Sequence, residues 1–216
     1  MSNRYFKQKL KPIEVQTPKT ISQLLSEMAQ TGFQGRKLGE IVDVWEAMLK
    51  EDDLTIIMGL AGSMSTTGQW KIVNWLIENR YIDVLVSTGA NISEDILEAM
   101  GGTYWKGSHV VDDADLLKHQ IDRFYDVYAS EPEYRKMENL LWNFMKGLDP
   151  NYIYSSREFL HLLGEHLIGR GIQSIVATAA KHGVPVFCPA IVDSGYGVAA
   201  FMARRQNGVK VTIAQM

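Results

Sequence analysis

The sequence predicts an α/β fold, a parallel sheet with helices on both of its faces. Short apolar runs at 54–60, 81–87 and 184–191 are rich in β-branched and aliphatic residues, the composition of strands buried on both sides. Between them lie longer stretches of helical period, as crossovers between parallel strands require. Each apolar run also gives way to a cluster of small or polar residues, at 59–68, 87–91 and 193–197.

The elements follow in order. Residues 1–19 are polar, carry Pro12 and Pro18, and read as an arm. Thr20 or Ser22 caps a helix running to about Thr31, and Gly32 and Gly35 interrupt the pattern around Phe33. A second helix spans 36–50, with Leu38, Ile41, Val42, Trp45 and Leu49 on one face. LTIIMGL (54–60) is the first buried strand, and AGSMSTTG turns from it into the helix QWKIVNWLIENR. The second strand, YIDVLVS, ends in Thr-Gly-Ala-Asn. Its helix, ISEDILEAM, has Glu94 and Asp95 in the first turn and closes at Gly101 and Gly102.

The middle of the chain is more polar. VDDADLLKHQIDRFYDVYA and PEYRKMENLLWNFMKGL are predicted as two helices, broken near 130–132. SSREFLHLLGEHLIGRG is a Ser-capped helix, and 172–182 a further one. VPVFCPAI is the third buried strand, DSGYG the third junction, and GVKVTIAQM a fourth strand of the same sheet. There are no internal repeats and no low-complexity tracts.

The chain has 216 residues, enough to bury a sizeable core. A net charge of −3 gives no reason to expect a nucleic-acid or anionic-membrane partner, and no stretch is long and apolar enough to span a bilayer. The single cysteine, Cys188, permits no intramolecular disulfide and no multi-Cys zinc site, and it fits a reducing cytoplasm. Cys188 is expected in the core. The five histidines are scattered, HLLGEH lacks the H-E-x-x-H spacing, and no metal is expected. No Gly-x-Ser-x-Gly elbow suggests a serine hydrolase. Trp45, Trp70, Trp75 and Trp142 lie in predicted helices as core or subunit-interface residues, and the Asp112–Asp113 pair precedes a helix it can cap.

In a parallel sheet the strand C-termini share one edge, so the three junctions would meet where such sheets bind ligands. Small residues admit a ligand to the backbone, and the next helix offers free N–H groups and a positive dipole end. A phosphate or pyrophosphate is the natural guest. Glycine and serine at such turns also serve tightness alone, and the first junction is not G-x-G-x-x-G.

Five ordered blocks carry a resemblance: GFQGRKLGE, GLAGSMSTTG, IDVLVSTGANISEDIL, DDADLLKHQIDRFYDV and VPVFCPAIVDSGYG. Together they resemble the deoxyhypusine synthase family from about residue 30 onward. The resemblance implies a Rossmann-like, NAD-binding α/β domain in a homotetramer with active sites between subunits. It divides the chain into an N-terminal arm with helices (1–50) and a partial NAD-binding domain (51–216). It implies that NAD takes a hydride from spermidine. The aminobutyl group then passes to an enzyme lysine as an imine, and on to a lysine of the translation initiation factor precursor that carries hypusine. Bacterial relatives can use a small diamine instead, giving homospermidine.

Carried over by position, Gly62, Ser63, Met64, Ser65 and Thr66 match the family's NAD loop, which often has Ser-Asn where this chain has Gly62-Ser63. Thr88, Gly89 and Ala90 match an element that contacts NAD, Asp193 an aspartate on the NAD side, and Glu94 an acidic residue where NAD and spermidine meet. Read as residues alone, Glu94 can pair with an ammonium or merely favour the helix macrodipole, and Asp193 can merely form a turn.

The pattern departs in two places. Where the family has a spermidine-binding aspartate, this chain has about Val198, an aliphatic group unable to pair with an amine. The family's last third, with its Gly-rich NAD segment and Trp-Gly-Lys nucleophile, has no counterpart, and the last lysine is Lys210. A sheet stopping at VKVTIA would leave an apolar edge. The expectation is therefore an incomplete fold that lacks its own catalytic residue. A second chain would supply the lysine in a homo- or hetero-tetramer. The alternatives are a catalytically inactive NAD-binding regulator and a homospermidine-forming relative.

Overall fold

The computed structural model describes residues 7–15 and 18–214; parts of the predicted arm and the end of the last predicted strand lie outside them. The chain divides into two compact units, Met1–Leu54 and Thr55–Met216.

The first unit holds α1 (Ile21–Met28) and α2 (Phe33–Leu49). Thr20 opens α1 with a capping box, its hydroxyl accepting from Gln23 N–H while the Gln23 side chain accepts from Thr20 N–H. The two helices cross closely at Gly39, where a side chain would collide with the backbone of Leu25 and Ala29. The predicted face of α2 does not form a core: Leu38, Ile41, Val42 and Leu49 are exposed, and only Gly39 of that helix is buried. Among the described residues of this unit, α1 and α2 are the only helices, too few to enclose such a stripe.

The second unit opens with β1 (Ile57–Leu60), α3 (Trp70–Glu78), β2 (Val84–Ser87) and α4 (Gly89–Ala99). It continues through β3 (Trp105–Lys106), α5 (Asp113–Lys118), β4 (Ile121–Phe124), β5 (Val127–Ser130) and α6 (Glu131–Met145). Then come β6 (Ile153–Ser155), α7 (Ser156–Gly169), α8 (Ile175–His182), β7 (Val186–Phe187), α9 (Gly195–Asn207) and β8 (Thr212–Ala214). Strands β1, β2 and β7 form a parallel sheet with β2 in the middle. Leu60 pairs with Ser87 and Val86 with Phe187, so all three strands end on one edge. The core gathers around fully buried Ile77, Leu85, Ile92, Ile96, Phe159 and Leu163. Cys188 is buried with them, as expected.

Several expectations are corrected. The first strand is an edge strand rather than a buried one, and Ile57 is 62% exposed. The last strand does not extend the main sheet; β8 pairs in parallel with β6 as a separate two-stranded ribbon. The segment from Val111 to Ala129 is not one helix. After the short α5, capped by Asp112, it reverses through a β4–β5 hairpin, and β3 adds to β5 to make a three-stranded antiparallel sheet. Trp70 is buried, whereas Trp75 is half exposed.

Candidate functional site

The site forms where β1 and β2 end side by side and α4 begins. Asn91, fully buried in the first turn of α4, joins the two junctions. Its Nδ2 donates to the Gly62 carbonyl at 2.8 Å and to Thr88 Oγ1 at 2.9 Å, and its Oδ1 accepts from Met64 N–H at 2.7 Å. Its own carbonyl accepts from the Ser65 hydroxyl, also fully buried. The loop after β1 is thus held by a buried amide whose donors and acceptor are all used. Gly62 itself takes φ +76°, with no atom within 4 Å of where a Cβ would stand. Glycine suits that left-handed turn and leaves the backbone open.

Ser63 faces the other way. Its hydroxyl donates to Glu94 Oε2 at 2.6 Å and accepts from Thr66 Oγ1 at 2.7 Å. Burial raises the Glu94 pKa above the usual carboxylate value, and the Ser63 bond opposes that rise. Helix α4 starts at Gly89, directly after the strand, because Thr88 already takes the extended conformation of an N-cap. No acidic residue therefore lies in its first turn, contrary to expectation, and the macrodipole does not account for Glu94. Thr88 makes no side-chain cap to α4. The positive end of the helix consequently faces the junction with its first amides uncapped.

The third junction reaches the second through Gly89, where a Cβ would overlap the Ser194 side chain. Ser194 donates to the Ile191 carbonyl at 2.7 Å and accepts from Tyr196 N–H at 3.3 Å to open α9. Ala90 is half-buried beside Asn91, and Asp193 is exposed, its N–H bonded to the Ala190 carbonyl. The hydrogen bonds described between the junctions do not involve the Asp193 carboxylate. Val198 is 48% exposed on α9.

The structure therefore brings together Gly62, Ser63, Met64, Ser65, Thr66, Thr88, Gly89 and Glu94, and leaves Asp193 at the margin. Sequence reasoning missed Asn91, which reads as an ordinary turn former. It also missed Tyr104 and Tyr134: the Tyr104 hydroxyl donates to the Glu94 carbonyl at 2.9 Å and lies 3.1 Å from that of Tyr134. Both come from the segment whose hairpin was not foreseen or its borders. Chemically, an open glycine backbone and a helix N-terminus suit an anionic group, while a half-buried carboxylate suits a cation.

Residues 23–216 match the family model for deoxyhypusine synthase. "Probable deoxyhypusine synthase 2" of Methanosarcina mazei is 45% identical over 207 residues, covering 95% of this chain and 59% of the relative. The protein of the same name from Archaeoglobus fulgidus is 48% identical over 179 residues, 83% of this chain and 59% of its own length. A "Deoxyhypusine synthase-like protein" from Chlorobaculum tepidum is 37% identical over 199 residues, covering 90% and 56% respectively. The chain thus spans about 59% of the length of the first of these relatives. A crystal structure from Entamoeba histolytica, provisionally named a deoxyhypusine synthase, superposes with a TM-score of 0.70. It covers 95% of this chain and 70% of that one at 19% identity, a likeness of fold alone. The family match takes in all three junctions and nearly the whole of the chain, and on that ground the chain belongs to the deoxyhypusine synthase family.

Proposed function

We propose that this chain supplies the NAD-contacting and amine-contacting part of an aminobutyl transferase acting on spermidine, in a Rossmann-like domain. The observation that carries the reading is the convergence of the first two junctions on the Ser63–Glu94 pair, with the third packed against Gly89. The open Gly62 backbone and the uncapped start of α4 fit a pyrophosphate. NAD, when bound, would accept the hydride released by the amine substrate. Gly62, Ser63, Met64, Ser65, Thr66, Thr88, Gly89 and Ala90 would line it, with Asp193 at its outer side.

Glu94 would pair with a substrate ammonium or take its proton. The Ser63 hydroxyl keeps the carboxylate form accessible against the cost of burial. The acceptor would be a lysine of the hypusine-carrying initiation factor precursor, or a small diamine. The relatives are longer than this chain, and the proposal puts the nucleophilic lysine in polypeptide outside this sequence, within a homo- or hetero-tetramer.

Calorimetric titration of the chain with NAD, and separately with spermidine, tests the reading. Saturable NAD binding, with Glu94→Gln weakening spermidine more than NAD, supports it. An absence of NAD binding at millimolar concentration would overturn it. Val198 favours a second reading, an NAD-binding regulator that does not turn over polyamine, because an aliphatic group offers an ammonium no charge. NAD binding without spermidine binding selects that reading.

A further inference from the structure

Glu94 and Asp95, consecutive on α4, face different ways, about 100° apart around the axis. Glu94 reaches the loop after β1 through Ser63, whereas Asp95 turns inward and is fully buried. Its Oδ2 accepts from Ile175 N–H at 2.5 Å. Ile175 opens α8, whose residues 175–179 are all buried. Ser174 takes the Ala177 N–H at the same helix start, so the two side chains take two of its first three amides. The other oxygen, Oδ1, has no partner among the described residues.

A buried carboxyl with half its capacity unused is costly, so the fold is not made more stable by its presence there. What it does provide is a fixed bearing. Helix α8 leads into β7, which pairs with the central strand β2. Asp95 therefore ties α4 to the same framework that carries the junctions. Two further ties on α4, from Tyr196 to the Ile92 carbonyl and from Tyr104 to the Glu94 carbonyl, grip backbone oxygens. Asp95 grips by its side chain, next to the residue that meets Ser63.

We infer that Asp95 is a positioning residue: by tying α4 to the first amide of α8, it sets the turn of α4 that presents Asn91 and Glu94 to the loop after β1. Its consequence for NAD rests on the function proposed above; its effect on the loop does not.

Amide hydrogen exchange on the 216-residue chain tests it without any ligand. In Asp95→Ala, exchange at Ile175 and at Met64, whose amide is held by Asn91, should quicken by roughly tenfold relative to amides of β2. Asp95→Asn keeps an acceptor oxygen and should restore both. Leu116→Ala, a core change on α5, which packs against β4 rather than α4 or α8, should lower stability yet leave Met64 in step with β2. If Asp95→Ala does not fold, Asp95→Glu, which keeps the charge and displaces the oxygen, should quicken Met64 in its place. Quickening at Ile175 with Met64 unchanged overturns the inference, as does an Asp95→Asn variant that fails to restore Met64. NAD titration of the same variants adds a second readout, with Asp95→Ala weakened roughly tenfold and Asp95→Asn near wild type. If the wild type itself binds no NAD, the dinucleotide reading fails, while the exchange data still judge Asp95.

Discussion

Asn91 shows how one buried side chain can hold two strand-to-helix junctions together. Removing its amide leaves the Met64 N–H without its acceptor and the Gly62 carbonyl with the Thr88 hydroxyl alone, at 3.2 Å. A donor left without a partner costs on the order of 1–3 kcal/mol, so Asn91→Ala should lose about 1–3 kcal/mol in urea denaturation. A loss below about 0.5 kcal/mol would show that water replaces the amide. Ser63 acts on ionisation instead. Its hydroxyl lowers the Glu94 pKa against burial, so Ser63→Ala should move it further up. Carbon-detected titration of the Glu94 carboxyl would register that, and a downward move would contradict the assigned cause. The junction after β1 was legible in the sequence because an apolar run gives way there to small residues, which serve a tight turn as well as a close approach. Asn91 was not, since its role depends on reaching back three residues in its own chain and across to Gly62.

Helix endings illustrate what the element scale adds. After α4 the chain closes with Gly101 N–H on the Glu98 carbonyl and Gly102 N–H on that of Leu97, with Gly101 at φ +91°. The same double closure ends α7 at Gly171 and α3 at Arg80, where Arg80 N–H meets Ile77 and Tyr81 N–H meets Leu76. Arg80 is held at φ 58°, a left-handed conformation that disfavours a side chain. Arg80→Gly should therefore stabilise the fold by about 1 kcal/mol in thermal or urea unfolding. A neutral or destabilising result would mean that glycine's freedom in the unfolded chain cancels the relief. Such endings were visible wherever a glycine marked them. The hairpin was not, because Leu117, Ile121, Phe124 and Tyr128 fall at helical spacing, while four-residue strands are too short to declare alternation. What decides between the two is the reversal at Tyr125 and the pairing of Phe124 with Val127, tertiary facts with no strong local signal.

At the scale of the whole molecule, the order of parallel strands and crossovers was readable, but sheet membership was not. The apolar run of β8 looks the same whether it extends the main sheet or pairs with β6, a strand too short to be noticed. Buried ionisation is likewise invisible in a sequence, and it gives the fold an unusual response to pH. Burial pushes the Asp95 carboxyl up to about 7, opposed in part by the Ile175 amide, and Glu94 is also raised by burial. A carboxyl with a higher pKa in the folded than in the unfolded chain binds protons more tightly when folded. Its stabilisation is complete below the unfolded value and is lost as pH rises to the folded one, here about 7. The span is worth on the order of 4 kcal/mol at most. Asp113 and Glu158, lowered by Arg123 and by Ser155 respectively, act only at acid pH; nearer neutrality, half-exposed Asp122, pushed up to about 6 by burial, acts with Asp95, and His166, lowered by burial, acts against it. The urea midpoint should therefore be higher near pH 6 than near pH 8, the reverse of the fall expected where paired carboxylates dominate. Asp95→Asn should flatten that slope and overtake the wild type on the alkaline side, since it keeps the Ile175 contact without a charge to bury. A wild type that gains stability from about pH 6 to 8, or an Asp95→Asn variant with an unchanged slope, would show that Asp95 is solvated by water in solution and ionises at an ordinary pH.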